Sequence, residues 1–311
     1  MPPPPEPELR EPLLIGDEHD PDEPPLPVPG SDEASVVTRR RLGPMFWIAL
    51  GWLALVVALA VLAPVLPIAD PNETLDGPRA GGFSTHNLLG TDDGGRDLLA
   101  RTIWGSRVSL LVGFTSVAFA LLVGGTIGLY AGFYRGWLEK AMIATFDIAL
   151  AFPAVVLALL LITFLGRELQ WILLVLGILA VAPVGRLARA NTLVFSQREF
   201  VVAARALGAR SNRLIWQEIF PNVIVPMTGL ALLGMALAIV AEGSLAFLGL
   251  SVEGATTTWG KMIVAGSSGT ALRENPLTAF VPITAMFLTV LALNFIGDRL
   301  RAHFEVRESA L

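Results

Sequence analysis

Two carboxylates interrupt otherwise apolar runs, Asp147 in IATFDIALAF and Glu242 in LAIVAEGSLAF. An ionised carboxylate in hydrocarbon is costly, so such a group faces a bundle interior, a partner or a water path. Acids of this kind serve ion-coupled transport, or they accept hydrogen bonds from a neighbouring helix. For Glu242 both roles stay open. Asp147 lies nearer the cytoplasmic end of its run and is read as a hydrogen-bond acceptor.

Little else in the chain could do chemistry. There is no cysteine, which excludes disulfides, thiol catalysis and thiolate metal ligation, and the three histidines at 19, 86 and 303 are scattered. The nearest approach to a phosphate loop is GATTTWGK, Gly254 to Lys261, with five residues between the glycines and Met262 where a Ser or Thr would hold magnesium. No catalytic residue, metal site, cofactor or nucleic-acid partner is expected. If ATP is used, another chain supplies the site.

The longest polar interruption is SQREFVVAARALGARSNRLIWQEIFP, Ser196 to Pro221. Ser196 and Glu199 have the spacing of a capping box, N-cap and N3, which predicts a helix starting at Gln197. Phe200, Ala203, Ala204 and Leu207 recur at helical spacing as a small apolar face, and Gly208 suits a left-handed position that ends the helix. Ser211 is placed to cap a second short helix carrying Leu214, Ile215, Trp216 and Ile219, which Pro221 stops. Arg205, Arg210 and Arg213 decorate the outside. Such a pair of helices could lie on lipid, held by its basic side chains. Small residues at its centre favour a protein groove instead.

The elements that must position these residues follow from composition. Of 311 residues 53% are hydrophobic and only 16% charged, too little polar surface to cover a soluble domain of this size. Apolar runs long enough to span a bilayer are read at Met45–Pro67, about Val108 to Phe133, Ala141 to Leu165, Trp171 to Leu187, Val223 to Leu250, and Thr278 to Ile296. The first is read as an uncleaved signal-anchor, because it continues past the Ala58-Leu59-Ala60 cleavage-like site. Gly124, Gly128 and Gly132 fall one per turn on a single face of the second run, a surface for close helix approach.

Charge then sets orientation. Residues 1–35 carry ten acids and one Arg, a net −9, together with 11 of the 22 prolines, whereas the remainder nets +4. That composition predicts a disordered cytoplasmic tail. With the N-terminus inside, fourteen Lys and Arg face the cytoplasm against seven opposite, which favours N-in, C-in topology and a cytoplasmic Ser196–Pro221 loop. The organisation expected is therefore a tail at 1–42, a first transmembrane helix at 43–67, an extracytoplasmic loop at 68–104, five further helices at 105–300 and a cytoplasmic end at 301–311.

FVVAARALGA…QEIFPN resembles the cytoplasmic loop signature of type I ABC importer permeases, Glu-Ala-Ala followed by Gly and, further on, Leu-Pro. LGTDDGGRDLLARTIWGSRVSLLVG, AEGSLAFLGL, TWGKM and FLTVLALNFIGDRLR are similar to the second permease of dipeptide and oligopeptide importers, and nickel and other solute importers share them. The resemblance covers roughly residues 45–303. It implies an all-α, polytopic protein of the bacterial plasma membrane, with six transmembrane helices and a cytoplasmic coupling helix. It further implies a homologous second permease, two cytoplasmic ABC ATPase subunits, an extracytoplasmic solute-binding protein and a peptide substrate in a lipid membrane. Glu199, Ala203, Ala204, Arg205, Gly208 and Pro221 form the ATPase-coupling loop on this reading. The signature Glu position is Val202 here; Glu199, three residues earlier and on nearly the same face, could substitute for it.

Two other function classes fit the sequence less well. A stand-alone ion-coupled transporter would show internal repeats and matched interrupted helices, and no convincing repeat relates the two halves. A membrane-anchored enzyme lacks a nucleophile–base or metal set.

Overall fold

The computed structural model describes residues 43–75, 81–82, 87–269 and 271–308. The acidic tail, Arg39 to Arg41, His19 and His86 lie outside the described residues. Among the described residues the structure is helical, apart from an isolated bridge between Thr91 and Asp97.

α1, Pro44–Leu62, opens on a proline, whose missing N–H costs nothing in a first turn. Its 19 residues carry no charge and extend about 28 Å, close to the hydrocarbon thickness. α2, Leu98–Ala120, passes through a π-helical turn, Leu121–Gly125, into α3, Thr126–Tyr134, making one rod from Leu98 to Tyr134. The rod begins ten residues before the apolar run expected from Val108. Asp97 caps it by accepting from the Ala100 amide at 2.7 Å, and the polar Arg101 and Ser106 of its first turns are buried.

The third apolar run is not one straight helix. α4, Gly136–Ala151, and α5, Ala154–Leu165, meet at 87°. Pro153 has no amide hydrogen to continue the ladder, and the preceding Phe152 is extended at φ −87°, ψ 137°. The reversal before α4 uses Arg135 at φ 54° and Gly136 at φ 67°.

α6, Leu169–Phe195, is followed by the short α7, Glu199–Ala206. α8, Ser211–Arg213, runs through a second π turn, Leu214–Ile219, into α9, Phe220–Phe247. These three form one 37-residue helix, Ser211–Phe247. α10, Trp259–Gly266, and α11, Ala271–Glu274, precede the long α12, Leu277–Glu308. Among the described residues five helices are long and apolar enough to cross a membrane, or six if the bent α4–α5 pair counts as one span.

The glycine face of α2–α3 packs on α6 as its spacing predicts. A β-carbon at Gly124 or Gly128 would collide with the backbone of Val181 or Gly185, and one at Gly132 would meet Thr192. A second close approach joins α9 to α12, where a β-carbon on Gly229 would lie 2.8 Å from the Gly297 carbonyl oxygen.

Candidate functional site

The Ser196–Pro221 element begins differently from its sequence pattern. Ser196 has αR dihedrals, φ −65° and ψ −15°, whereas an N-cap needs extended backbone. It therefore finishes α6: its amide donates to the Thr192 carbonyl at 2.9 Å and its hydroxyl to the Leu193 carbonyl at 3.0 Å. The extended residue is Arg198, so α7 starts at Glu199 without a side-chain cap. The capping box does not form. Glu199 stays exposed in the first turn, where its charge complements the helix dipole.

Ser211 is likewise not a cap, since the extended residue is Arg210 and Ser211 is already helical. Nor does Pro221 stop a helix. It occupies the first turn of α9 inside the continuous Ser211–Phe247 rod. The π turn just before it widens the helix where the proline withholds an amide hydrogen.

Gly208 adopts φ +83° and closes α7 by donating from its amide to the Arg205 carbonyl at 3.0 Å. Leu207 and Ala209 donate to the carbonyls of Ala203 and Ala204, each at 3.0 Å. The Arg205 guanidinium lies over the Phe133 ring at 5.9 Å.

The apolar face expected on α7 divides. Ala204 packs inward, while Phe200, Ala203 and Leu207 are bare, Leu207 being 88% exposed. The residue that anchors α7 is Val201, which the spacing argument did not single out. Val201 is fully buried in a cluster with Leu129 of α3, Ala188 and Phe195 of α6, Leu214, Ile215 and Ile219 of the π turn, and Val223 and Met227 of α9. One valine thus joins the short helix to three long ones. Val202, at the signature Glu position, points outward and is exposed.

Glu242 is 1% exposed. Its Oε1 accepts the Ser251 hydroxyl at 2.8 Å and the Thr258 hydroxyl at 2.9 Å. Thr258 also caps α10 by accepting from the Lys261 amide at 3.1 Å. A β-carbon at Gly260 would sit 2.7 Å from Gly243 Cα and 2.9 Å from Glu242 Oε2, so only glycine lets α10 lie this close to α9. Trp259 completes the join, donating its indole N–H to the Thr102 carbonyl at 3.0 Å and its amide to Ser109 Oγ at 3.2 Å.

The Lys261 ammonium donates to the carbonyls of Val252, Gly254 and Thr256 at 3.1, 3.0 and 2.7 Å. These donors hold the chain's own loop. Burial, and then the charge of Arg101, hold the Lys261 pKa below its ordinary value. Among the described residues no group of three or more His, Asp or Glu is placed to hold a metal.

Asp147 accepts from Arg186 across the α4–α6 contact, and Glu139 accepts from Arg189 Nε at 2.8 Å on the same pair of helices.

Residues 124–309 match the family described as binding-protein-dependent transport system inner membrane component. The chain is also 38% identical over 245 residues to the dipeptide transport system permease protein DppC of Alkalihalophilus pseudofirmus, covering 79% of this chain and 80% of that one. The chain belongs to this family. The permease is 33% identical to the glutathione transport system permease protein GsiD of Pectobacterium atrosepticum, over 79% of this chain and 82% of that one. It is 34% identical to a putative peptide transport system permease protein of Brucella suis, over 86% of this chain and 90% of that one. Its fold is similar to that of the MetNI methionine ABC transporter in an inward-facing conformation, with TM-score 0.54, 18% identity, and coverage of 65% of this chain and 96% of that one. The permease is a multi-pass protein of the bacterial inner membrane with the type I importer permease fold. Its family description makes it the membrane component of a system that depends on a binding protein.

Proposed function

We propose that this permease carries di- and oligopeptides into the bacterial cytoplasm as one half of a two-permease path. Two cytoplasmic ABC ATPase subunits hydrolyse the nucleotide, an extracytoplasmic solute-binding protein delivers the peptide, and a homologous second permease completes the path. The observation that carries the reading is α7, bare on its outer face at Phe200, Ala203 and Leu207 and keyed into the bundle by Val201. A helix so exposed on one side and so buried on the other is suited to receive force from a partner and pass it inward. Glu199 and Arg205 edge that surface, Ala204 packs behind it, Gly208 turns the chain away from it, and Pro221 begins the span that leaves it.

The substrate class rests on relatives named for dipeptide, glutathione and peptide transport. Alternation of access then comes from rocking of the two permeases, biased by nucleotide-driven approach of the ATPases.

The test is purification of the tagged permease with its associated subunits, followed by uptake of labelled dipeptide into vesicles. ATP-dependent uptake that requires co-purified ATPase subunits is expected. Ion-driven uptake by the permease alone overturns the proposal.

A further inference from the structure

The loop leading into α2 helps to enclose a polar cavity of about 210 Å³, on the extracytoplasmic side because N-in topology puts the start of α2 there. Asp92, Asp93, Arg96 and Arg101 line it, and it reaches Met262 and Ala265 of α10. Asp92 is fully engaged. Its Oδ1 accepts the Gly94 and Arg96 amides at 2.9 and 2.8 Å, and its Oδ2 lies 3.4 Å from Arg101 Nε. Arg101, with its side chain 10% exposed, gives Nη1 to the Pro71 carbonyl at 3.1 Å.

The Arg96 guanidinium has no such commitment. It folds back over Gly94, where an added β-carbon would lie 3.4 Å from Nε, and Nε is enclosed without an acceptor. None of the ion pairs among the described residues includes Arg96, or Asp93, which is exposed. A guanidinium lacking acceptors in a part-enclosed site is costly, and its planar fork matches a carboxylate two-fold. The local field points the same way. Beyond burial and Arg101, both Arg167 and Arg96 lower the Lys261 pKa, against the opposing charge of Glu242.

Size narrows the ligand. The cavity is smaller than the roughly 300–1,000 Å³ of a pocket for a whole small molecule, but it has room for one carboxylate side chain. We propose that it is a socket for a single acidic side chain, an Asp or Glu that the extracytoplasmic solute-binding protein presents on docking, with Arg96 as its ion-pair partner. The C-terminal carboxylate of the peptide has the same chemistry, but it brings the rest of the peptide with it, for which the cavity has no room. This assignment rests on the binding-protein partner in the reading above.

A carbodiimide joins a lysine amine to a carboxylate in contact with it, and the chain has only two lysines, Lys140 and Lys261. Arg96→Lys therefore adds one reporting amine to the cavity. The complete transporter in nanodiscs is mixed with the dipeptide-loaded solute-binding protein that restores its uptake, treated with a water-soluble carbodiimide and mapped by mass spectrometry. A new amide between position 96 and an Asp or Glu of the binding protein, absent from the parent, is expected. An amide to the peptide C-terminus or to the chain's own Asp92 or Asp93 overturns the proposal, as does the lack of any new amide. As a second measurement, Arg96→Gln is expected to weaken binding-protein affinity about ten-fold, with Arg96→Lys recovering most of the loss. Ala265→Phe, which fills the cavity without altering charge, should weaken it likewise. Unchanged affinity in Arg96→Gln overturns the socket, and so does an equal loss in Arg96→Lys accompanied by a lowered thermal transition, which would mark a structural role. Dipeptide uptake by the parent transporter with the same binding protein tests the underlying reading separately. If no binding protein restores uptake, that reading falls and the socket's partner falls with it.

Discussion

Oε1 of Glu242 accepts the Thr258 hydroxyl at 2.9 Å, and through this bond a buried carboxylate of α9 fixes the cap of α10. The two sequence segments that look separate, AEGSLAFLGL and TWGKM, are the two sides of this joint. Because Glu242 is committed to Ser251 and Thr258, removing a donor leaves it under-satisfied in a dry site. Thr258→Val is therefore expected to destabilise the protein by about 1–3 kcal/mol. The check is the thermal transition of the detergent-purified permease, which should fall clearly below that of the parent. An unchanged transition would mean that Glu242 draws its support elsewhere.

Gly260→Ala tests the same joint by packing. The added methyl meets Gly243 Cα and the Glu242 carboxylate below contact distance, and overpacking of this kind costs about 1–3 kcal/mol. Gly254→Ala, by contrast, adds a methyl where nothing lies within 4 Å, though at φ +74°. Its cost should be confined to backbone strain of about 1–2 kcal/mol. Limited proteolysis of the two variants should separate the effects, because only Gly260→Ala perturbs protection of α10.

Val201 and Leu207 lie on one short helix but face opposite ways. Val201→Ala removes methyl groups from the cluster that joins α7 to α3, α6 and α9, at a cost of about 1–3 kcal/mol. It should leave ATPase subunits bound while lowering peptide uptake per ATP hydrolysed. Leu207→Asp touches no core residue and should instead reduce co-purification of ATPase subunits, with the thermal transition unchanged. Identical behaviour of the two variants would contradict the division of α7 into an inner key and an outer contact surface.

Gly208 turns the chain at φ +83°, and a side chain there is strained although space is open. Gly208→Leu is expected to cost about 1–2 kcal/mol locally and to uncouple hydrolysis from uptake. Gly208→Asn should retain more transport, since asparagine tolerates this region better. Full transport by the leucine variant would show that the geometry of this turn does not set coupling.

Because Ser196 closes α6 and does not cap α7, Ser196→Ala should leave α7 intact and change stability by less than about 1 kcal/mol. Glu199→Gln removes the charge at the start of α7, worth about 0.3–1 kcal/mol, and keeps the side chain's shape. Hydrogen exchange of the α7 amides is the measurement. Loss of protection in Ser196→Ala would restore the capping box.

The spans were readable because burial in a bilayer requires long apolar runs, and those runs are visible residue by residue. The Gly124–Gly128–Gly132 face was readable for a similar reason, as glycine at helical spacing leaves a groove whatever fills it. The bend at Phe152–Pro153 was marked only by its proline, within apolar content that continues unbroken through it. The true start of α2 was hidden by Arg101, which looks like a loop residue until the Pro71 carbonyl at 3.1 Å and Asp92 at 3.4 Å are found around it. In α7 the spacing of apolar residues defined a face but not its direction. Which side is inside depends on the cluster around Val201, and every member of that cluster outside α7 belongs to another element. The cap at Ser196 failed on a backbone angle that local composition does not encode.

The Gly229–Gly297 approach sets a backbone contact with α12 midway along the Ser211–Phe247 helix. Gly229 stands thirteen residues from Trp216 at the cytoplasmic end and thirteen from Glu242 at the other, about 20 Å each way. A helix tilting about that point by about 10° displaces both ends by roughly 3 Å in opposite senses, from the same rise per residue. If the helix pivots at that contact, a push on the cytoplasmic arm returns beyond it as a pull on the α10 joint, reversed in direction.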